Sequence, residues 1–462
     1  MSARTISTIS SVTAVAALLL LGAVGCGGSS SGSTTGASTV ASTASPAPAA
    51  TWLTYHRNLA RTGLDSTSPS LGQVRHTWTR RLDGQVYAEP LVARGRVIAA
   101  TEGDSLYALD ARTGRVRWRA RLGTPVDGAT LPCGNIDPSG ITGTPAIDAA
   151  QGTVYAVGFL RPAHHVLFAV DLATGRVRWR RAIDPPGADP TVHQQRAALA
   201  VSQGRVYVAY GGLNGDCGNY HGWVVSAPAG GPTGSLRSFE VPTQREGAIW
   251  APSGPAVDAG GNLYVSTGNG SSTSSFDFGN SVIRLSPSLR RTAFWAPLNV
   301  ATLNAHDTDL GSTGPVLLPG GRAFIIGKEG IGYLLDAARL GGMGGELASR
   351  QVCGAAFGGS AYAAGVVYAP CVDGLAALRV SGRTLAQAWR GPGFRAGPPI
   401  VAGGAVWTVD LDGGYLYALD ARTGRVRFRA GIDHPAQFTT PTAAGEWIYV
   451  GGGSRVLAFT GA

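Results

Sequence analysis

One lysine stands in the whole chain, Lys328; every other permanently basic side chain is an arginine. Arginine-rich composition removes lysine wherever either cation serves. A single retained lysine therefore marks a place where a compact ammonium, not a planar fork, is wanted; a surface lysine left over in a turn is the bland alternative. The cysteines are Cys26, Cys133, Cys217, Cys353 and Cys371. The N-terminal residues read as an export signal, and in an exported chain the last four cysteines imply two disulfides. Cys353 and Cys371 flank one predicted hairpin and are paired, which leaves Cys133 with Cys217. Each closure is worth roughly 2–4 kcal/mol through the unfolded chain. Metal binding is the alternative, but neither a Cys-x-x-Cys nor a Cys-x-x-Cys-His haem site occurs. His164, His165, His221 and His306 read as polar loop residues rather than ligands.

The elements that must carry such groups are repeats. Leu106–Arg117 and Leu416–Arg427 are identical over twelve residues, LYALDARTGRVR, and Leu167–Arg180 is a looser copy. Self-similarity on this scale means stacked copies of one unit. Each copy continues into an aromatic residue, as in Trp118, Trp179 and Phe428. The Asp and the Thr-Gly make a tight turn, because Gly accepts positive φ and Asp caps nearby N–H groups. Four short antiparallel strands per unit describe a propeller blade. The units fall at about Tyr87–Leu122, Ile141–Ile183, Ala197–Val241, Trp250–Ala296, Thr313–Val352, Ala355–Arg390, Gly397–Ile432 and Phe438–Phe459. The expectation is an all-β, eight-bladed β-propeller of four-stranded antiparallel blades; a degenerate fifth unit leaves seven open. The last unit lacks its final strand, and Val74–Leu82 (VRHTWTRRL) matches Val116–Leu122, so the N-terminal strand is expected to complete it. His306, beside Asp307, would then sit near the channel mouth.

Charged residues are sparse at 14%, yet the net charge is +10. Arg115, Arg117 and Arg119 alternate with Val116 and Trp118, which puts them on the solvent face of an outer strand. A solvated face, near anionic lipid or wall polymer, accounts for this better than nucleic acid, which export makes an implausible partner. Residues 1–25 read as a signal peptide: Arg4 precedes an apolar run, Val12–Val24, too short to span a bilayer. Ala23-Val24-Gly25-Cys26 resembles the bacterial lipoprotein box. That resemblance implies cleavage before Cys26 and a diacylglycerol on its sulfur; ordinary signal cleavage beside a chance cysteine is the alternative. Residues 26–50, uncharged Gly, Ser, Thr, Ala and Pro, read as a flexible tether, and 51–462 as one propeller domain. The expected location is the outer side of the cytoplasmic membrane or the periplasm, with the lipid membrane as a partner through Cys26.

The unit Leu-Tyr-Ala-Leu-Asp-x-x-Thr-Gly-x-x-x-Trp resembles the repeat of the pyrroloquinoline quinone (PQQ) propeller superfamily. That superfamily includes quinoprotein alcohol and polyvinyl-alcohol dehydrogenases and also non-catalytic members such as the lipoprotein of outer-membrane protein assembly. The repeat itself is structural and carries no chemistry. The resemblance continues in residues that break the repeat. Asn269, in Tyr264-Val-Ser-Thr-Gly-Asn269, looks like the family's calcium-binding Asn. Asp309, in Asp307-Thr-Asp-Leu-Gly311, looks like its catalytic base, also a calcium ligand. Lys328 looks like the cation at the C5 carbonyl of PQQ, and Trp250 stands where the floor tryptophan should be. Asp216 replaces the family's Glu and is the weakest match. Each has a plain reading too: Asn269-Gly270 is an ordinary turn, Asp309 caps the turn that follows, and Trp250 is another interblade wedge.

The resemblance implies a PQQ- and calcium-dependent alcohol dehydrogenase. Asp309 and Lys328 would be catalytic, Trp250 and Lys328 cofactor-binding, and Asp216, Asn269 and Asp309 the metal ligands. Electrons would leave to a separate acceptor. Two departures count against it: the chain has no adjacent Cys-Cys pair, and its body is shorter than the large dehydrogenases, closer to compact polyvinyl-alcohol-dehydrogenase-like members. The competing expectation is a non-catalytic, surface-tethered propeller that scaffolds an envelope protein partner or binds a ligand.

Overall fold

Blade 1 shows what one repeat builds. Leu91–Ala93, Arg96–Thr101, Ser105–Asp110 and Val116–Arg121 pair in sequence order as an antiparallel sheet. The third strand, Ser-Leu-Tyr-Ala-Leu, is buried on both faces between neighbouring sheets. The outer strand alternates, with Trp118 and Ala120 in and Arg117 and Arg119 out. Asp110 Oδ1 accepts from the backbone N–H groups of Arg112 and Thr113 and from the Thr113 hydroxyl, at 3.1, 2.9 and 2.9 Å. Its other oxygen takes Arg117 at 2.5 Å. Gly114 has φ +66°, and a Cβ there would lie 2.6 Å from the Trp78 ring. The repeat's Thr-Gly is thus fixed twice, by turn geometry and by the neighbouring blade. The aromatic residue is the wedge: Trp78, Trp118 and Trp389 each donate their indole N–H to the turn of the next blade, at Ala111, Leu172 and Ala421.

The computed structural model describes residues 50–461. The expected signal segment, Cys26 and all but the last residue of the tether lie outside the described residues. Among those described, no helix is long and apolar enough to cross a membrane. Eight four-stranded blades follow in chain order. Those used below are blade 2 (Ala146–Ala182), blade 3 (Ala200–Glu240), blade 4 (Ala256–Ala296), blade 5 (Val316–Gln351), blade 6 (Ala361–Arg390), blade 7 (Ile400–Gly431) and blade 8 (Thr442–Gly461). Val74–Arg81 pairs antiparallel with Arg455–Gly461 as the outer strand of blade 8. The fifth unit, degenerate in sequence, still forms four strands.

Residues 52–68 run round the inner edge of the ring. Trp52 exchanges hydrogen bonds with Val92 of blade 1. The carbonyls of Leu53, Leu59, Ala60, Thr62 and Gly63 then accept from Ile147, Val257, Leu317, Tyr362 and Val401, on the inner strands of blades 2, 4, 5, 6 and 7, at 2.7–2.9 Å. The Arg61 guanidinium reaches Leu199 O at 3.1 Å, just before blade 3, and Ser68 reaches Gly445 O at 2.7 Å in blade 8. One short segment therefore touches every blade and saturates inner strand edges that would otherwise be open. Tyr55, His56 and Glu89 are buried at its centre. Burial lifts the Glu89 carboxyl well above the usual range, although His56 N–H and Trp52 Nε1 donate to it.

Both disulfides of the sequence reading are present, Cys133–Cys217 and Cys353–Cys371, each with Cα atoms 6.1 Å apart. His165 corrects the loop reading of the histidines. It is buried, stacks on Phe159 and sits 2.8 Å from Asp184.

Candidate functional site

Strand ends and connections of blades 3 to 5 project side chains into a cavity of about 400 Å³. Asp216, Trp250, Asn269, Asp309 and Lys328 all line it. Asp216 comes from the hairpin loop after Arg205–Gly212, and Trp250 from the stretch before Ala256–Val257. Asn269 follows Leu263–Ser266, Asp309 lies between blades 4 and 5, and Lys328 follows Arg322–Ile326.

Asp309 is the hub. Its Oδ1 accepts the backbone N–H of Asn269 at 2.7 Å, and its Oδ2 lies 2.6 Å from Lys328 Nζ. The side chain makes no cap to the turn that follows, so the capping alternative fails. Two glycines permit the approach. A Cβ on Gly268 would lie 2.5 Å from Asp309 Oδ1, and one on Gly327 would lie 2.7 Å from Asp309 O. Lys328 is no leftover surface residue. Its ammonium also contacts Asp307 Oδ1 at 2.8 Å and stands 5.9 Å from the Trp250 ring centroid. Trp250 is likewise no interblade wedge: its ring faces Phe438 across 6.1 Å on the cavity wall.

Asn269 is held at both ends of its amide. Nδ2 donates to Asp307 Oδ1 at 2.8 Å, and Oδ1 accepts from Asn280 Nδ2 at 3.0 Å. Asn280 is fully buried; it also donates to Asn304 and accepts from Leu310 N–H at 2.7 Å. Asp216 Oδ1 accepts the Tyr220 hydroxyl at 2.6 Å. Glu246 pairs with Arg245 at 2.9 Å.

The electrostatics follow from burial. Desolvation raises the Asp309 carboxyl above its ordinary range against the pull of Lys328 and the Asn269 N–H. Burial works against the Lys328 ammonium, but Asp309 and Asp307 outweigh it and hold its pKa above that of a free lysine. Glu246 is raised by burial and by the negative charge of Asp216, Asp309 and Asp277, only partly offset by Arg245. The cavity is thus an acidic pocket with one ammonium at its centre.

Sequence reasoning missed Asp307, Glu246, Tyr220, Asn280, Phe438 and Arg196. Asp307 alone carried a signal, lying two residues from Asp309. His306, expected near the mouth, does not line the cavity; its ring binds Thr302 O outside. Among the described residues, the one group of three His, Cys, Asp or Glu side chains within metal-binding reach is Cys353, Cys371 and Asp373, whose sulfurs are already joined.

A family model described as outer membrane protein assembly factor BamB (PQQ_2) matches residues 72–213 and 350–462, more than half of the chain. The chain belongs to that family. The match stops at Leu213 and resumes at Arg350, so 13 of the 19 cavity-lining residues, Asp216, Trp250, Asn269, Asp309 and Lys328 among them, fall in the unmatched stretch. A polyvinylalcohol dehydrogenase of a Pseudomonas species is 24% identical over 225 residues, 44% of this chain and 33% of that protein. The dehydrogenase subunit of a quinone alcohol dehydrogenase from Komagataeibacter europaeus is 30% identical over 174 residues, 35% of this chain and 22% of that one. The matched parts thus span a third or less of those relatives. Quinohemoprotein alcohol dehydrogenase ADHIIG of Pseudomonas putida HK5 shares the fold, with a TM-score of 0.70, 18% identity and coverage of 89% and 80%. BamB from Moraxella catarrhalis does too, at 0.59, 15%, 84% and 100%.

Proposed function

We propose that this protein is a quinoprotein-like oxidoreductase that oxidises an alcohol, with PQQ and calcium held in the blade 3–5 cavity. The observation that carries the reading is the convergence of Asp216, Trp250, Asn269, Asp309 and Lys328 on one cavity, in the part of the chain where the repeat pattern of its family lapses.

The chemistry of the donor set suits both groups. Carboxylate and amide oxygens of Asp216, Asn269 and Asp309 are the hard donors calcium takes. Trp250 offers an aromatic face to a flat quinone, and Lys328 a donor to its carbonyl. Bound quinone and calcium supply the hydride acceptor and its polarisation. The chain supplies the rest. Asp309, made more basic by burial, accepts the alcohol proton. Lys328 keeps its own proton near neutral pH and is positioned to stabilise developing negative oxygen. Gly268 and Gly327 keep these two groups in contact.

The short apolar run ending at Cys26 supports export and lipid anchoring on the outer side of the cytoplasmic membrane or in the periplasm. Two disulfides support an oxidising compartment. Residues 26–50 then form the tether to the propeller, and electrons pass to a separate acceptor. The family match itself favours a second reading, a non-catalytic envelope scaffold.

Titration of the protein with PQQ and calcium separates the two. A saturable optical change, weakened by Asp309→Ala or Lys328→Ala and accompanied by alcohol-dependent dye reduction, is expected. No binding at high micromolar PQQ removes the enzyme and leaves the scaffold.

A further inference from the structure

A second cation lines the cavity, one without an ion-pair partner among the described residues. Arg196, in the connection from blade 2 to blade 3, lines the cavity and is only 9% exposed. A guanidinium carries five N–H donors. Among the described residues its one side-chain hydrogen bond goes to Gln194 Oε1 at 3.0 Å, and no carboxylate lies within ion-pair reach. Its carbon stands 5.2 Å from the Phe438 ring centroid, and Phe438 in turn faces Trp250. Glu102 acts on it only at a distance, with no ion pair between them: one Glu102 oxygen accepts Gly140 N–H at 2.7 Å and the other has no hydrogen-bond partner.

Holding a charge away from bulk water without an ion-pair partner is unfavourable. A folded chain keeps such a group where something else completes it. The cavity is therefore polarised. Asp307 and Asp309 hold Lys328 beside Trp250, Arg196 stands beside Phe438, and the two aromatic rings lie between the cations.

We infer that Arg196 is the anion-binding end of the cavity and receives the carboxylate of an organic acid whose far end reaches Asp309 and Lys328. Only the far end of that placement rests on the oxidoreductase reading, under which the substrate class becomes a carboxylate-bearing alcohol with a flat apolar body. Guanidinium and carboxylate meet through two parallel N–H···O bonds, and the Phe438 face supports the cation from one side. The carboxylate is the substrate's; a quinone's own carboxylate is the competing occupant, and binding measurements distinguish them.

The full-length chain, free of quinone and calcium, is titrated with 4-(hydroxymethyl)benzoate and with the neutral 4-(hydroxymethyl)benzamide, followed by tryptophan fluorescence and calorimetry. The acid is expected to bind about tenfold or more tightly than the amide, as a charged bidentate contact does over a neutral one. Arg196→Gln abolishes the preference and Arg196→Lys keeps part of it. A parallel pair, PQQ and its trimethyl ester, is run on the same proteins. Loss of preference in the benzoate pair on Arg196→Gln assigns the carboxylate to the substrate; loss in the quinone pair alone assigns it to the cofactor and overturns the inference. Equal binding of acid and neutral partner in both pairs, or a preference that survives Arg196→Gln, overturns the inference. Should Arg196→Gln lose its cooperative thermal transition, Arg196→Lys decides by the same criterion. The benzoate pair needs no quinone, so failure of PQQ binding sinks the oxidoreductase reading and leaves this one standing.

Discussion

Cys133 is bonded to Cys217, 84 residues further on and next to Asp216. The bond ties the blade 1–2 connection to the blade 3 loop that carries Asp216 and Tyr220 into the cavity. The second disulfide acts on the other side: Cys371 joins Cys353, and four residues on Phe357 lines the cavity while Ala356 O accepts from Ser312. Both covalent links therefore fasten cavity walls, the second from the end of a blade 6 strand, Val366–Cys371.

Replacing Cys133 and Cys217 together by alanine is expected to cost about 2–4 kcal/mol of unfolding free energy. It should also weaken cavity ligands several-fold, because Asp216 loses its anchor. Urea unfolding and ligand titration on the same protein check both; equal affinity with lower stability would show that the link holds the ring and not the pocket.

Lys328→Ala leaves Asp309 buried with its strongest counter-charge gone. Breaking a buried pair from one side costs on the order of 3–5 kcal/mol, and less is expected here because Lys328 retains some solvent contact. The sharper readout is Asp309 itself. Its carboxyl, already raised by burial, should titrate higher still in the variant, measured by the pH dependence of ligand binding. Lys328→Arg should restore the charge but not the fit among Asp307, Asp309 and Trp250.

How far the sequence foretold this molecule depends on whether a residue's constraint is local. Asp110, Gly114 and Trp118 are each fixed by contacts within a few residues or with a neighbouring blade built on the same repeat, so the constraint recurs and can be read. Trp250, Asn269, Asp309 and Lys328 were legible through resemblance, in their order along the chain and, for Asn269 and Lys328, in the strand each follows. Glu246, Asn280 and Arg196 were not. They sit in irregular connections with no period, and their importance comes from partners far away in sequence, such as Leu310 for Asn280. The inner segment at 52–68 was illegible for another reason: it holds the blades mostly through backbone carbonyls, which every residue type possesses.

That segment predicts where the ring is weakest to mutation. Arg61 donates to Pro255 O, Thr54 Oγ1, Tyr55 O and Leu199 O at 2.8–3.1 Å, all in the interior. Arg61→Ala should destabilise the protein by roughly 3–5 kcal/mol, since several buried acceptors lose their donor at once. Arg117→Ala, on an exposed outer-strand pair with Asp110, should cost under about 1 kcal/mol. Denaturant midpoints for the two variants test the contrast.

The last expectation concerns pH. Glu102 and Asp104 are buried in blade 1, and one Glu102 oxygen and both Asp104 oxygens lack hydrogen-bond partners. Burial pushes Glu102 up to about 7; burial and then the neighbouring Glu102 push Asp104 up to about 8. A carboxyl whose folded pKa lies above its unfolded one binds its proton more tightly in the native state. Its contribution is thus fully present below about pH 4 and is lost as pH rises through 7 and 8. The unfolding free energy should therefore fall from pH 5 to about pH 9, by on the order of a few kcal/mol. Glu102→Gln and Asp104→Asn keep the shape and remove the ionisation, so each should flatten that slope and be more stable than the parent at high pH. Unfolding curves across this range decide it: a parent whose stability rises with pH here would mean that these two carboxyls are ionised and paired.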